Sequence, residues 1–128
     1  MTIDTAIYSR LTSHAGVSGL VSNRVYPSML PQNVAFPAIV YQVISGARQS
    51  NFGADTGNVR HRIQVTVFGE KKGGQKAVLD ILKQVRLALQ RYSDSDIDDV
   101  YVEGESRDYD DDLKIHMARM DFMLWYKE

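Results

Sequence analysis

The sequence contains no cysteine and no long apolar run. Without cysteine, the chain forms neither disulfide bonds nor thiolate metal sites. No apolar stretch approaches the roughly 20 residues that a membrane-spanning helix needs. The N-terminal residues Met1 to Asp4 also lack the basic and apolar segments of a secretory signal. We therefore expect a soluble protein that acts where it is made.

The chain also lacks a strong charge of either sign. Its 15 basic and 16 acidic residues give a net charge of −1, whereas a protein held on nucleic acid by bulk charge is expected to be clearly basic. The net charge does not exclude a local basic strip that contacts nucleic acid. At 128 residues, of which 44% are hydrophobic and 24% charged, the chain is long enough to bury a core. We expect a single domain over residues 1–128.

Residues 58–92 contain the strongest structural pattern. Apolar residues, together with His61, occupy alternate positions from Val59 to Val67, which predicts a strand with one buried face. After a glycine-rich linker, apolar residues recur at helical spacing from Ala77 to Tyr92, which predicts an amphipathic helix over 74–92. A helix joined to a strand in this way can fold back and cover the sheet.

Weaker patterns flank this core. Ile3, Ile7 and Leu11 predict a short N-terminal helix, capped by Thr2 or Asp4. A proline-containing crossing then leads to a strand over 38–45 that is apolar on both faces. We expect the polar, glycine-containing stretch 46–57 to be a long loop.

The C-terminal part predicts two further strands around an acidic hairpin tip. One strand begins at 100–102 and the other covers 113–126, where a change of apolar parity predicts a β-bulge near Met117 and Ala118. The predicted fold class is α+β. It has a mostly antiparallel four-stranded sheet, the 74–92 helix packed on it and the short N-terminal helix.

Residue types used in catalysis and metal binding are scattered. His14, His61 and His116 have no partners at a metal-binding spacing. The acidic series at 94–105 has the spacing of a calcium loop, but Asp99 stands where that loop needs glycine. The chain shows neither a nucleophile elbow nor a phosphate-binding glycine loop. We predict no catalytic, cofactor or metal site, and a protein that is not an enzyme.

Several residues are candidates for contacts with other subunits or partners. Leu87 points away from the apolar stripe of its helix, and the chain ends in an aromatic strand. Together with the doubly apolar strand, these features indicate more apolar surface than one small monomer buries, which predicts a homo-oligomer. The candidate interface residues are Arg48, Phe52, Leu87, Asp110, Asp111, Asp112 and Trp125.

Arg60 and Arg62 are the candidate DNA-facing residues. They project from the same face of one strand, where such a strip could meet phosphates. No aromatic residue interleaves with them along the strand to stack bases. A solvated sheet face is an equal alternative.

An ordered series of short segments resembles the tail completion (tail terminator) family of long-tailed double-stranded DNA phages, prophages and gene transfer agents. The series comprises the N-terminal helix, the segments 17–27, 30–32 and 36–42, the strand, the main helix and the aromatic closing strand 121–126. The resemblance covers essentially the whole chain. One departure is Val67-Phe68, where the family often carries tryptophan or cysteine.

The resemblance implies a structural protein of the virion, made in the bacterial host cytoplasm and located at the head–tail junction. Such subunits form a hexameric ring at the head-proximal end of the tail tube, stop tube polymerisation and join the tail to the head completion or connector protein. Double-stranded DNA passes through the lumen without sequence-specific binding, and neither cofactor nor membrane is involved. We expect residues 46–57 to form an arm that reaches the lumen, a neighbour or the tube.

Two alternatives stay open. A nucleic-acid-binding α+β sheet module would use Arg60, Arg62 and nearby Phe68. A related head-completion or tail-tube subunit would share this size and architecture.

Overall fold

The computed structural model of the chain describes residues 2–51 and 54–127, with residues 49–51 and 54–57 described by their backbone alone. The element order is α1 (Ile3–Ser13), α2 (Ala15–Val21), β1 (Val25–Pro27), β2 (Ala38–Asn51), β3 (Ala54–Phe68), α3 (Gly74–Leu89), β4 (Ile97–Asp110) and β5 (Ile115–Lys127).

The strands form one five-stranded mixed sheet in the order β1-β2-β3-β5-β4. Strands β2 to β5 pair antiparallel, as predicted, whereas β1 pairs parallel with β2. The prediction of four strands missed β1 because its three residues lie in the proline-containing crossing and are too few to show a period. The fold class is α+β, as predicted, with this additional edge strand.

All three helices contribute to one buried core on a single face of the sheet. Val78, Leu82 and Val85 of α3 pack in the same apolar cluster as Phe122 and Leu124 of β5. The predicted amphipathic helix is thus confirmed, although α3 ends at Leu89 instead of residue 92. The helix ends because Gln90 is extended, at φ −60° and ψ 122°, and Arg91 then takes the left-handed conformation, at φ 60°.

The two N-terminal helices cover the β1 end of the sheet. Ile7 and Leu11 of α1 and Val17 of α2 are fully buried in the core. The Thr2 hydroxyl accepts a hydrogen bond from the Thr5 N–H at 3.2 Å, which confirms Thr2 as the cap of the predicted N-terminal helix.

The prediction of a loop over 46–57 is wrong, because β2 and β3 continue as a two-stranded ribbon. Arg48 pairs with Val59, Ser50 with Asp55 and Asn51 with Ala54. Pairing of β3 with β5 begins only at Asn58, so the ribbon projects beyond the rest of the sheet. The sequence over 46–57 carries no apolar alternation from which strands could be predicted.

The predicted β-bulge near Met117 and Ala118 is also wrong. Strand β5 pairs with β3 and β4 through these residues without a shift, whereas register shifts occur in β2, at 43–45 and 48–50, and in β4, at 97–99 and 102–104. The apparent change of parity has another cause. Leu113 belongs to the turn before β5, and Ile115 is buried outside the main core, beside Phe36 and Leu113.

Candidate interaction surfaces

The sheet face opposite the helices carries both candidate DNA-facing residues and one candidate interface residue. Arg60 pairs with Trp125 and Arg62 with Met123 across the β3–β5 ladder. Directly opposed residues point to the same face, so these four side chains form one surface. We call it the helix-free face, because α1, α2 and α3 pack on the other side of the sheet.

An aromatic pair lies beside the arginines of the helix-free face. The rings of Trp125 and Tyr101 meet edge to face, with centroids 5.1 Å apart. The guanidinium of Arg91 lies over the Tyr101 ring at 4.8 Å and pairs with Asp99 at 2.8 Å. The sequence prediction that no aromatic residue accompanies Arg60 holds along β3 but not across the sheet. Only the strand order and register place Trp125 beside it.

Carboxylates accompany the basic residues of this face. Arg62 Nη2 pairs with Glu103 Oε2 at 3.1 Å, and Arg119 lies 3.9 Å from Asp108. Both pairs are partly exposed, where an ion pair contributes little to stability. Their effect on binding is larger, since a paired guanidinium has less net attraction for phosphate.

The opposite end of the helix-free face is apolar. A shallow hollow of about 330 Å³ is lined there by Met29, Leu30, Val40, Phe68 and Met117, together with polar side chains. Met29 is the most exposed of the large apolar side chains that the structure describes, at 74%. Val40 is buried, and Leu30, Phe68 and Met117 are half-buried, so Met29 is the exposed apolar group at this hollow.

The acidic residues predicted as interface residues lie at the β4–β5 turn. Asp110 uses its carboxylate within the turn, accepting the N–H groups of Asp112 and Leu113 at 3.0 and 2.9 Å. Asp111 and Asp112 are exposed. Asp112 and Lys71 line the same hollow, so a basic residue of the same chain lies near the acidic tip.

The remaining candidate interface residues are far from this tip. Leu87 is 49% exposed on the outer side of α3, as its position in the helical period predicts. Arg48 is exposed on the ribbon, at the end of the sheet opposite the β4–β5 turn. Phe52 lies outside the described residues. The predicted interface set is therefore spread over the molecule instead of forming one site.

A groove between α3 and β4 was missed by sequence reasoning. It encloses about 450 Å³. Its apolar walls come from Leu79, Leu82, Val102 and Met120, and its charged rim from Lys83, Arg86, Glu103, Glu105 and Arg107. It exists because α3 does not reach over the outer half of β4, where residues 103–109 are exposed.

The acidic series at 94–105 stabilises a turn. The Asp94 carboxylate accepts the N–H groups of Asp96 and Ile97 at 2.8 and 2.7 Å and the Tyr92 hydroxyl at 2.9 Å. Partial burial alone would raise the Asp94 pKa, but these hydrogen bonds and the Lys127 charge outweigh it and lower the pKa.

Within residues 2–51 and 54–127, no three histidine, aspartate or glutamate side chains come together as metal ligands. In that same part of the chain, none of the helices has the length and apolar character to cross a membrane.

The family model for tail completion protein gp17 matches residues 5–127. The chain belongs to the tail completion protein family. This confirms the family that the sequence segments suggested, and makes the chain a structural protein of the phage virion tail.

The same fold occurs in a solved virion structure. A chain from the virion of a native gene transfer agent particle superposes with a TM-score of 0.80 at 15% sequence identity. The match covers 98% of the tail completion chain and 95% of the virion chain. At this identity the similarity shows the shared fold. No curated protein compared with the chain matches it.

Proposed function

We propose that this tail completion protein is a tail terminator, which forms a ring at the head-proximal end of the tail tube and stops its polymerisation. The proposal depends on one observation: a chain of the tail completion family has several surfaces that its own helices do not cover. These are the helix-free face, the α3/β4 groove and the β2–β3 ribbon. Surfaces of this kind suit a subunit whose role is to contact other proteins.

The ring is a hexamer built from copies that meet head to tail. In such an interface each copy presents two different surfaces, and repeated rotation closes the ring. Neither a catalytic group nor a cofactor is needed for this role, because association alone stops the addition of tube subunits.

The two ends of the strands serve different partners in this proposal. The ribbon projects at one end, and the exposed carboxylates of Asp111 and Asp112 lie at the other. One end contacts the tail tube and the other contacts the head completion or connector protein. A ring that joins two unlike structures needs two unlike ends, and this subunit has them.

DNA passes through the ring lumen without being held. Arg62 and Arg119 are each accompanied by a carboxylate, which limits the attraction of this face for phosphate. Each additional phosphate contact adds salt-dependent affinity, and tight binding would oppose movement of the genome.

The test is tail assembly with and without the protein, with tail lengths measured by electron microscopy. We expect capped tails of uniform length that join heads when the protein is present, and overlong tubes without it. Adding the purified protein to tails assembled without it should stop further growth. Tails of uniform length in its absence would contradict the terminator role and leave a head-completion or tube role.

One observation favours a second candidate, a nucleic-acid-binding sheet module. Trp125 and Tyr101 lie beside Arg60 on an open sheet face, and aromatic rings next to arginines can stack bases. Filter binding to single- and double-stranded DNA over a range of salt concentrations separates the candidates. A steep fall of log affinity with log salt supports the module, whereas absence of binding at moderate salt supports the terminator.

A further inference from the structure

Acidic residues are unevenly distributed along this chain. Ten of the 16 acidic residues lie between Asp94 and Asp112, where Arg107 is the one basic residue. Between Asp4 and Asp55 the chain has no acidic residue at all. The near-zero net charge therefore conceals two regions of opposite character.

The sheet order carries these two regions to opposite edges. Strand β4, which contains most of the acidic region, is one outer strand of the sheet. Strand β1 is the other outer strand, next to β2. We call β4 with its flanking turns, residues 94–112, the acidic edge. We call residues 23–48, which include β1 and most of β2, the carboxylate-free edge.

Part of the acidic edge is compensated within the chain. Among the residues that the structure describes, four of its carboxylates pair with cations of the same chain. Glu105 is exposed at the rim of the α3/β4 groove, and it makes no ion pair within the part of the chain that the structure describes. The edge thus keeps an excess of negative charge.

The acidic edge is built for side-chain contact and not for the addition of another strand. Strand β4 contains two register shifts, and charged side chains occupy much of its outer half. Both features discourage edge-to-edge strand pairing. The adjoining groove instead offers apolar walls from Leu79, Leu82, Val102 and Met120 beneath a charged rim.

The carboxylate-free edge has complementary properties. Met29 and Ile44 are exposed there by 74% and 48%, so it presents apolar groups that can cover a groove. Its charged side chains are arginines, with no carboxylate to repel the acidic edge. Arg24 is partly buried and donates from Nε to the Pro37 carbonyl at 2.8 Å, which ties the crossing between β1 and β2 to the sheet edge.

We propose that the acidic edge and α3/β4 groove of one subunit bind the carboxylate-free edge of a second copy, with Met29 at the contact. This inference rests on the ring proposed above and specifies which surfaces build it. Two acidic edges repel each other, which disfavours a closed two-fold dimer through β4. Pairing of unlike edges leaves one free edge of each kind after every step, so association continues until the ring closes.

The test uses one charge change on each edge. Glu105→Lys places a cation on the acidic edge, and Met29→Glu places a carboxylate on the carboxylate-free edge. Both positions are exposed, so the monomer fold should be kept, which circular dichroism and thermal unfolding check. Sedimentation velocity should show association weakened about ten-fold or more for each variant alone, because like charges then face each other. The size-matched variants Glu105→Gln and Met29→Gln should weaken it less.

Mixing the two variants gives the decisive measurement. In an equimolar mixture, the acidic edge that carries Glu105→Lys can meet the carboxylate-free edge that carries Met29→Glu. The unchanged acidic and carboxylate-free edges of the two variants also meet each other. Native mass spectrometry should therefore show rings in which the two variants alternate. Unimpaired rings from each variant alone, or a mixture that stays as dissociated as its components, would overturn the edge assignment.

These outcomes are distinct from those that test the terminator role. If the unmodified protein caps tails while the edge variants also form normal rings, the terminator function stands and the edge assignment is wrong. A protein that neither associates nor acts on tails overturns both.

Discussion

At the residue scale, several polar side chains fix the backbone where elements begin. Asp94 holds the turn before β4 through two backbone N–H groups and the Tyr92 hydroxyl. His14 separates α1 from α2, and its Nδ1 accepts the Val17 N–H at 3.3 Å. The sequence shows these residue types but not these partners, since each hydrogen bond depends on the local turn geometry.

Asp94→Ala should lower the free energy of unfolding at pH 7 by about 1–3 kcal/mol, because a charged acceptor with three donors is lost. Since folding lowers the Asp94 pKa, its contribution is present above the ordinary carboxyl value of 3.8 and is lost as the pH falls through the folded-state pKa. Urea unfolding at pH 7 and at a pH well below 3.8 checks this. Asp94→Asn, which keeps an acceptor oxygen, should lose less, and an equal loss for Asp94→Ala at both pH values would contradict the account.

His14→Asn should make stability less dependent on pH. Burial, and then the Arg10 charge, lower the His14 pKa from its ordinary 6.5, so Nδ1 is free to accept the Val17 N–H near neutral pH. The stability linked to neutral His14 is present above pH 6.5 and is lost as the pH falls through the folded-state pKa. Asparagine also caps helices but does not titrate. Thermal unfolding between pH 5 and 7.5 should show a flatter profile, by at most about 1 kcal/mol.

At the element scale, the sequence predicts the elements whose apolar residues follow a clear period and misses those that show none. The alternation in β3 and the apolar stripe of α3 follow from burial on one side, and both were predicted. Strand β1 and the β2–β3 ribbon show no apolar period in their sequences, which therefore predict a crossing and a loop. Leu87 was placed correctly from helical spacing alone. The pairing of Trp125 with Arg60 depends on strand order, which no local pattern contains.

Two leucines of α3 provide a matched comparison. Leu82 is 2% exposed and Leu87 is 49% exposed. Leu82→Ala should lower the free energy of unfolding by about 2–5 kcal/mol through loss of burial and the cavity left behind. Leu87→Ala should change it by no more than about 0.5 kcal/mol. If Leu87 lies at a subunit or partner contact, sedimentation or tail-capping assays should still show a defect, and unaltered behaviour in both would remove it from the interface.

Shortening the ribbon should abolish the joining of tails to heads without affecting the folding of the monomer. Replacing residues 49–58 with Asn-Gly closes the Arg48–Val59 pair with a favourable two-residue turn. The strand pairing of residues 49–57 lies beyond Asn58, where the pairing of β3 with β5 begins, so thermal unfolding of the monomer should be nearly unchanged. The joining of tails to heads, measured by electron microscopy and by the infectivity of the particles, should be lost. Normal joining by the shortened protein would refute the role of the ribbon as an arm.

At the scale of the whole molecule, the notable property is that opposite edges of one sheet differ in charge and in exposed apolar groups. That arrangement emerges only when the acidic C-terminal region and the acid-free N-terminal region are set at the two ends of the strand order. The net charge of −1 gives no sign of it. Family membership could be inferred from ordered sequence segments, whereas the surfaces that meet could be argued only from the fold.

If copies associate through these edges, stability should depend on protein concentration. Association with the folded form but not the unfolded form raises the unfolding temperature as concentration increases. Calorimetry over a hundred-fold concentration range should show this rise for the unmodified protein and a smaller one for Glu105→Lys. An unfolding temperature independent of concentration would argue against association of the free protein.

The ribbon also gives this small domain an adjustable reach. Each residue added to both strands lengthens a ribbon by about 3.3 Å, and additions in pairs keep every side chain on its original face. Changes of this kind fall beyond Asn58, where the pairing of β3 with β5 begins, so we expect them to change the stability of the domain little. The same scaffold can therefore span a gap of different depth in another particle by adding or removing a few residues in the ribbon.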